Sequence, residues 1–278
     1  MMIDLHTHTA CSDGTDSPTE LMKKACEVGI DVIGLTDHDT VSGWEEASIA
    51  ARANSIRLVR GMEITATCHG VRVHILGYLF NSEDNKVQDH IRSVRESREG
   101  RARAITERLA ADFPVTFEDV MRQAAPGATL GRPHIADALV EKGILANRSE
   151  AFEQLLATSS PYYVEQYAPD ARAVVEFIHA AGGKTVWAHP KAMKRGTVAP
   201  DRAYRELAEA GLFGIEVDHR DNPADTRQFL TDIVNVYGLA RFGSSDYHGR
   251  GKPNKLGENT TSPDAYRALI DGTFAEVI

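Results

Sequence analysis

The chain of 278 residues contains only three cysteines, Cys11, Cys26 and Cys68, and no C-x-x-C pair. An odd number at these spacings excludes a disulfide framework and a thiolate zinc site. It fits a reducing compartment. No apolar run approaches the roughly 18 residues of a membrane span, and the opening MMIDLHTHTA lacks the basic and apolar regions of a secretory leader. The expected location is therefore the cytoplasm, with no membrane partner. Positive charge is also short: 31 Lys and Arg stand against 40 Asp and Glu, a formal net charge of −9. That balance argues against a broad basic field for nucleic acid or an anionic membrane, so a phosphorylated ligand would need positive charge supplied locally. Internal repeats and low-complexity linkers are absent as well. What remains, 42% hydrophobic and 26% charged residues, is an ordinary globular composition able to bury a sizeable core.

Up to about residue 79 the chain alternates short β-rich runs with helical ones. MIDLH, IDVIGLTDHD, IRLVRGMEI and VRVHILGYL read as strands. SPTELMKKACEVG reads as a helix, with Ser17 as N-cap, Pro18 at the first position, Glu20 closing a capping box and Gly29 past the end. Residues 84–165 then look wholly helical, which reads as an inserted helical cap with no strand. Alternation resumes with strands KTVWAHP, LFGIEVD and ARFGSSDYH and a final helix from Asp264. The expectation is an α/β fold with parallel pairing, about seven strands closing into a barrel from residues 1–83 and 166–278. A barrel of this type carries its working residues at the C-terminal ends of its strands.

Those ends share one chemistry. His6 and His8 stand two apart, which on a strand places both on one face with roughly 6.5 to 7 Å between Cα atoms. His38 ends the second strand, Glu63 the third, His189 the fifth, and Asp246 and His248 the last, while His74 lies on the fourth and Asp13 follows the first. Nine candidate ligands without a thiolate suit Mn²⁺, Zn²⁺ or Fe²⁺. Nine is too many for one ion and about right for two or three, with Glu63 as a bridge. Asp37 and Asp39 flank His38 and are expected to orient ligands or turns rather than bind metal. His69, His90 and His179 fall in a turn or on helices and are expected to be surface or packing residues, and Cys11 is given no role.

DLHTHTACSDG, GLTDHDT, GMEI, HILGY, AHP and GSSDYHG together resemble, in order and over essentially the whole chain, the motifs of the polymerase and histidinol phosphatase (PHP) family of metal-dependent phosphoesterases. With GRPHIADAL in the helical insertion, the arrangement is most similar to the nucleoside 3′,5′-bisphosphate phosphatases and related 5′ to 3′ exoribonucleases. The resemblance implies a distorted (β/α)7 barrel and three divalent ions, manganese foremost. His6, His8, Glu63 and Asp246 would hold one, Glu63, His74 and His189 a second, and Asp13, His38 and His248 a third. Such ions supply a bridging hydroxide as nucleophile and neutralise phosphoryl oxygens. They also reverse the local field of an acidic protein, so that phosphate is attracted.

Arg132 and His134 of GRPHIA are the foremost candidates for contacting substrate phosphate, since a guanidinium fork matches phosphate oxygens and His134 could protonate a leaving alkoxide. Arg101 and Arg103, in the arginine-dense run RSVRESREGRARAITER, are further candidates. Glu216 and His219, at the end of the sixth strand, would either touch a sugar or base or support the ligands. The expected reaction is removal of the 3′-phosphate from a nucleoside 3′,5′-bisphosphate. Alternatives are exonucleolytic cleavage of short RNA, histidinol-phosphate or amide hydrolysis, and a non-catalytic metal-binding module.

Overall fold

The computed structural model describes residues 1–125, 128–193 and 197–278. Seven strands form one sheet in sequential order: β1 (Ile3–Thr7), β2 (Val32–Leu35), β3 (Arg57–Cys68), β4 (Val71–Tyr78), β5 (Lys184–Ala188), β6 (Gly214–Asp218) and β7 (Ala240–Gly243). An isolated parallel bridge between Thr7 and Tyr247 brings the first strand beside the segment that follows the last. The sheet is thus a nearly closed, distorted barrel. Helices α1 (Pro18–Glu27), α2 (Trp44–Asn54), α7 (Ala171–Ala180), α8 (Arg202–Glu209), α9 (Thr226–Tyr237) and α10 (Pro263–Ile270) accompany the strands. The start of α1 follows from its sequence: Ser17 Oγ accepts the Glu20 N–H, and the Glu20 carboxylate accepts the Ser17 N–H. Gly29, at φ 81°, turns the chain away.

Pairing is not parallel throughout, contrary to the expectation from alternation alone. β4 runs antiparallel to both β3 and β5. The cause is local. β3 and β4 are joined by His69 and Gly70 alone, both at positive φ (52° and 75°), and a two-residue connection of that hand can join only antiparallel strands. β3 also continues beyond Glu63 to Cys68. Glu63 therefore lies within its strand, and His74 lies in the first half of β4, reaching the same rim as the others because its strand runs the other way.

Two apolar layers hold the barrel. Ile33, Leu58, Ile64, Ile75, Trp187 and Ile215 pack outward with residues of the surrounding helices, while Ile3, Leu5, Val59, Leu76, Val186 and Phe242 form a separate inner cluster. Regular alternation after Ile3 and Leu5 would send His6 outward. An irregularity in the β1–β2 register between Asp4 and Thr7 reverses that alternation and turns His6 to the inside.

Between β4 and α7 lie α3 (Asn85–Leu109), α4 (Phe117–Arg122), α5 (Arg132–Glu141) and α6 (Arg148–Gln154). Among the described residues of this stretch there is no strand. Ile105, Leu109, Val120, Ile135, Leu139 and Leu156 give these helices an apolar cluster of their own, each buried side chain contributing about 1.5–3 kcal/mol.

Candidate metal centre

At the rim one carboxylate meets five imidazoles. Glu63 Oε2 lies 2.9 Å from His8 Nε2, 3.1 Å from His6 Nε2 and 3.3 Å from His38 Nε2. Glu63 Oε1 lies 2.6 Å from His74 Nδ1 and 3.1 Å from His189 Nε2. Asp246 Oδ1 approaches the same His6 and His8 nitrogens at 3.4 and 3.3 Å. Asp13 Oδ1 is 3.1 Å from His248 Nε2, and Asp13 Oδ2 is 3.9 Å from His38 Nε2. All nine residues singled out from the sequence are thereby gathered into one connected cluster. Within it, the donor atoms of His6, His8, Glu63 and Asp246 all lie within 4.8 Å of one another, as do those of His8, Asp13, His38 and His248, and those of His38, Glu63 and His74.

The donor set fits divalent ions. His6 Nε2 faces His8 Nε2 at 3.1 Å, and two imidazole lone pairs at that distance are compatible only if a proton or a cation lies between them. Buried His38 Nδ1 makes no hydrogen bond, and Glu63 Oε2 and His248 Nε2 have only other candidate ligand atoms for close neighbours, a costly state for polar atoms that bind nothing else. Protonation cannot satisfy the cluster evenly. Burial pushes His38 down to about 3 and, with the neighbouring His8 and Lys252 charges, His248 to about 4. Burial also disfavours charge on His8, but hydrogen bonds to Asp246 and Glu63 carry it up to about 9. Glu63 is buried too, yet the His38, His74 and His6 charges around it hold its carboxyl well below the usual range. Metal coordination requires neutral imidazoles beside ionised carboxylates, a state toward which burial already pushes His38 and His248 and which a cation would impose on His6 and His8, whose pKa values the surrounding acids raise.

The surrounding residues hold this geometry. Glu216 Oε1 contacts His6 Nδ1 at 3.0 Å, and Glu216 Oε2 accepts the His189 N–H at 2.9 Å. Asp37 accepts from Thr9 N, Thr9 Oγ1 and Ser12 Oγ, organising the loop that carries Asp13. Asp39 accepts from Thr65 N and Thr65 Oγ1 beside His38. His189 and Asp246 sit at φ 31° and 54°, a left-handed conformation that costs such residues about 1–2 kcal/mol. Strain of this kind is found where a side chain must be aimed.

Glu216 and His219 depart from the sugar- or base-contacting alternative. Both are fully buried. Glu216 is committed to His6 and His189, and His219 Nδ1 accepts the Asp221 N–H. The arginine run also divides. Arg101 and Arg103 are two residues apart on α3, roughly 200° around the helix, so they cannot share a face. Arg101 turns inward, donating to Val164 O and Gln166 Oε1. Arg103 instead lies over the Phe117 ring and pairs with Glu99. The sequence reading missed Arg98, one helical turn before Arg101, which donates to Asp39 Oδ2 at 2.9 and 2.6 Å and to Thr65 Oγ1 at 2.9 Å. The i, i+3 spacing of Arg98 and Arg101 was the available signal.

Arg98, Arg101 and Arg132 line a small cleft with Leu130, Gly131 and Gln166. Arg132 donates to Leu156 O and lies over Phe152. Burial and the charges of neighbouring arginines lower the pKa of both Arg101 and Arg132; this is the signature of cations crowded together. His134 is buried, its Nδ1 accepts the Gly131 N–H at 3.0 Å, and burial lowers its pKa. His69, on the surface, contacts Glu206, His179 is exposed, and His90 is buried 3.6 Å from Asp39.

Comparison with known proteins agrees with this geometry. The PHP domain model matches residues 4–186. A 5′-3′ exoribonuclease of Haemophilus influenzae is 32% identical, covering 94% of this chain and 95% of its own. A 3′,5′-nucleoside bisphosphate phosphatase of Chromobacterium violaceum is 31% identical, covering 96% and 94%. The crystal structure of a protein assigned as a metal-dependent phosphoesterase from Bifidobacterium adolescentis superposes with a TM-score of 0.95 at 38% identity, over 96% of this chain and 95% of that one. A barrel rim lined by imidazoles and acids, with the family model spanning most of it, makes this chain a member of the PHP family of metal-dependent phosphoesterases.

Proposed function

We propose that the chain is a phosphomonoesterase that removes the 3′-phosphate from nucleoside 3′,5′-bisphosphates, leaving the 5′-monophosphate. The observation that carries this reading is the pairing of two cationic elements: a rim suited to divalent ions and, joined to it through the Asp39–Arg98 contact, a cleft lined by three arginines. A substrate with two phosphates would use both. His6, His8, Asp13, His38, Glu63, His74, His189, Asp246 and His248 would hold the ions, with manganese the expected metal and three the expected number. When bound, they supply a nucleophilic oxygen and neutralise the phosphoryl group.

The chain's own residues do the rest. The guanidiniums of Arg98, Arg101 and Arg132 would orient the 5′-phosphate and set the distance to the reacting one. Because Nδ1 of His134 accepts the Gly131 N–H, its neutral ring carries the proton on Nε2. That atom is our candidate for the proton delivered to the departing 3′-oxygen. Helices α5 and α6 are tied to the metal loop by Arg148, which pairs with Asp137 and donates to Asp13 O at 3.2 Å. Substrate bound on the helices therefore bears on a ligand loop.

Exonucleolytic cleavage of short 5′-phosphorylated RNA is the second reading, favoured by the name of the 32% identical relative. The chain expressed in manganese medium should release inorganic phosphate from adenosine 3′,5′-bisphosphate. Release of mononucleotides from a 5′-phosphorylated oligoribonucleotide, with no phosphate from the bisphosphate, would select the second reading. Turnover confined to histidinol phosphate or an amide would reject both.

A further inference from the structure

We infer that Lys252 is a positioning residue for the metal centre: its ammonium occupies one oxygen of Asp246 and so presents the other to the ions as a single-oxygen ligand. This rests on the metal-centre reading above. Lys252 Nζ donates to Asp246 Oδ2 at 2.9 Å, whereas Asp246 Oδ1 is the atom that approaches His6 and His8. The two carboxylate oxygens therefore have different neighbours: Oδ1 faces His6 and His8, and Oδ2 takes the ammonium, with His219 Nε2 3.9 Å away. Asp246 is fully buried, whereas the Lys252 side chain is 30% exposed. The cation thus reaches inward from the mouth of the site to a carboxylate that solvent does not touch.

The segment carrying Lys252 is built to hold it there. Tyr247 O accepts the His8 N–H, and Arg250 N–H donates to Thr15 Oγ1, fastening the stretch after β7 to the metal loop. Gly251 N–H bonds His248 O, and Asn254 Nδ2 donates to Ser245 O on the other side of the lysine. A Cβ at Gly251 would lie 2.4 Å from Arg148 Nη1, so the Arg148 guanidinium packs directly over this glycine. Lys252 is therefore flanked by residues locked to His248 and Ser245.

An ammonium hydrogen-bonded to a ligating carboxylate fixes the orientation of the ligand and limits it to one oxygen. Replacing it with an apolar chain of similar length lets Asp246 rotate. Three full-length proteins decide the matter: the parent, Lys252→Met and Lys252→Arg, each freed of metal and titrated with MnCl₂ by calorimetry, with thermal unfolding of the metal-free forms in parallel. The Met variant should keep the parent's unfolding midpoint and bind Mn²⁺ about 10- to 100-fold more weakly in the step that engages Asp246. The Arg variant, which restores a donor and charge, should recover most of that loss. Equal Mn²⁺ affinities in parent and Met variant would overturn the inference, as would equal losses in Met and Arg. If the Met variant does not fold, an Arg variant with a parent-like isotherm supports the inference and one with a loss of about 10-fold or more rejects it. A parent that takes up no Mn²⁺ would instead reject the metal-centre reading itself.

Discussion

The barrel rim and the inserted helices bring charge to the same place by opposite means. At the rim, imidazoles and acids are packed atom to atom, nearly all of them buried, and several are held by a further group, as His6 is by Glu216 and Asp246 by Lys252. In the insertion the groups are guanidiniums on helices, reaching acceptors through long side chains and partly open to solvent. Rigid, mutually supporting ligands suit the binding of ions whose position must not vary. Long side chains over a cleft suit a substrate that enters and leaves. In the proposed function, the contrast would leave metal binding to the barrel and substrate contact, with the His134 proton, to the helices.

The largest effect should come from the centre of the rim. Glu63→Gln removes the one carboxylate shared by five histidines and should lower kcat by at least about a thousandfold, with loss of bound metal on elemental analysis. Retained activity with full metal content would break the division at its barrel side. Arg132→Ala should raise KM for a nucleoside bisphosphate by about 10- to 100-fold while leaving turnover of a simple aryl phosphate within about threefold. An equal loss on both substrates would place Arg132 in the chemistry and not in recognition.

Asp39 joins the two regions, and its behaviour with pH sharpens the comparison. Burial raises its pKa, but the Arg98 charge and a hydrogen bond from His90 outweigh burial and leave it depressed. A depressed folded pKa means that the pair contributes stability above the unfolded value of about 3.9, lost as pH falls through and below it. Asp39→Asn leaves Arg98 buried without its counter-charge and should cost about 3–5 kcal/mol in urea unfolding at pH 7. The gap to the parent should narrow toward pH 3. A gap that is constant with pH would mean that the pair is not ionised in the folded chain. The smallest effect belongs to Arg103→Ala, which lies over Phe117 away from the cleft and should change KM by less than twofold.

The gathering of much of the rim could be read from the sequence because the side chains expected to hold metal are chemically distinctive and fall at strand ends, as His6, His8, His38 and Asp246 do. Strand direction was not so legible. Alternating strands and helices look alike whether a neighbour is parallel or not, and only the two-residue His69–Gly70 link betrays the antiparallel hairpin. Nor could composition divide the acids, since Glu216 and Glu63 both end apolar runs and differ only in what their strands bring opposite them. In the insertion, arginines at 98, 101 and 103 look equivalent in the chain, and helical phase alone separates them. Arg98 further depends on Asp39, 59 residues away, a pairing that no local pattern encodes.

The account's central claim, that residues dispersed along the chain cage cations at one barrel rim, is most directly tested by anomalous diffraction at the manganese edge from crystals of the metal-loaded protein. It predicts peaks enclosed by the ligand groups that meet at Glu63 and His8. A map with no peak there, from protein shown to be folded and exposed to manganese, would contradict it.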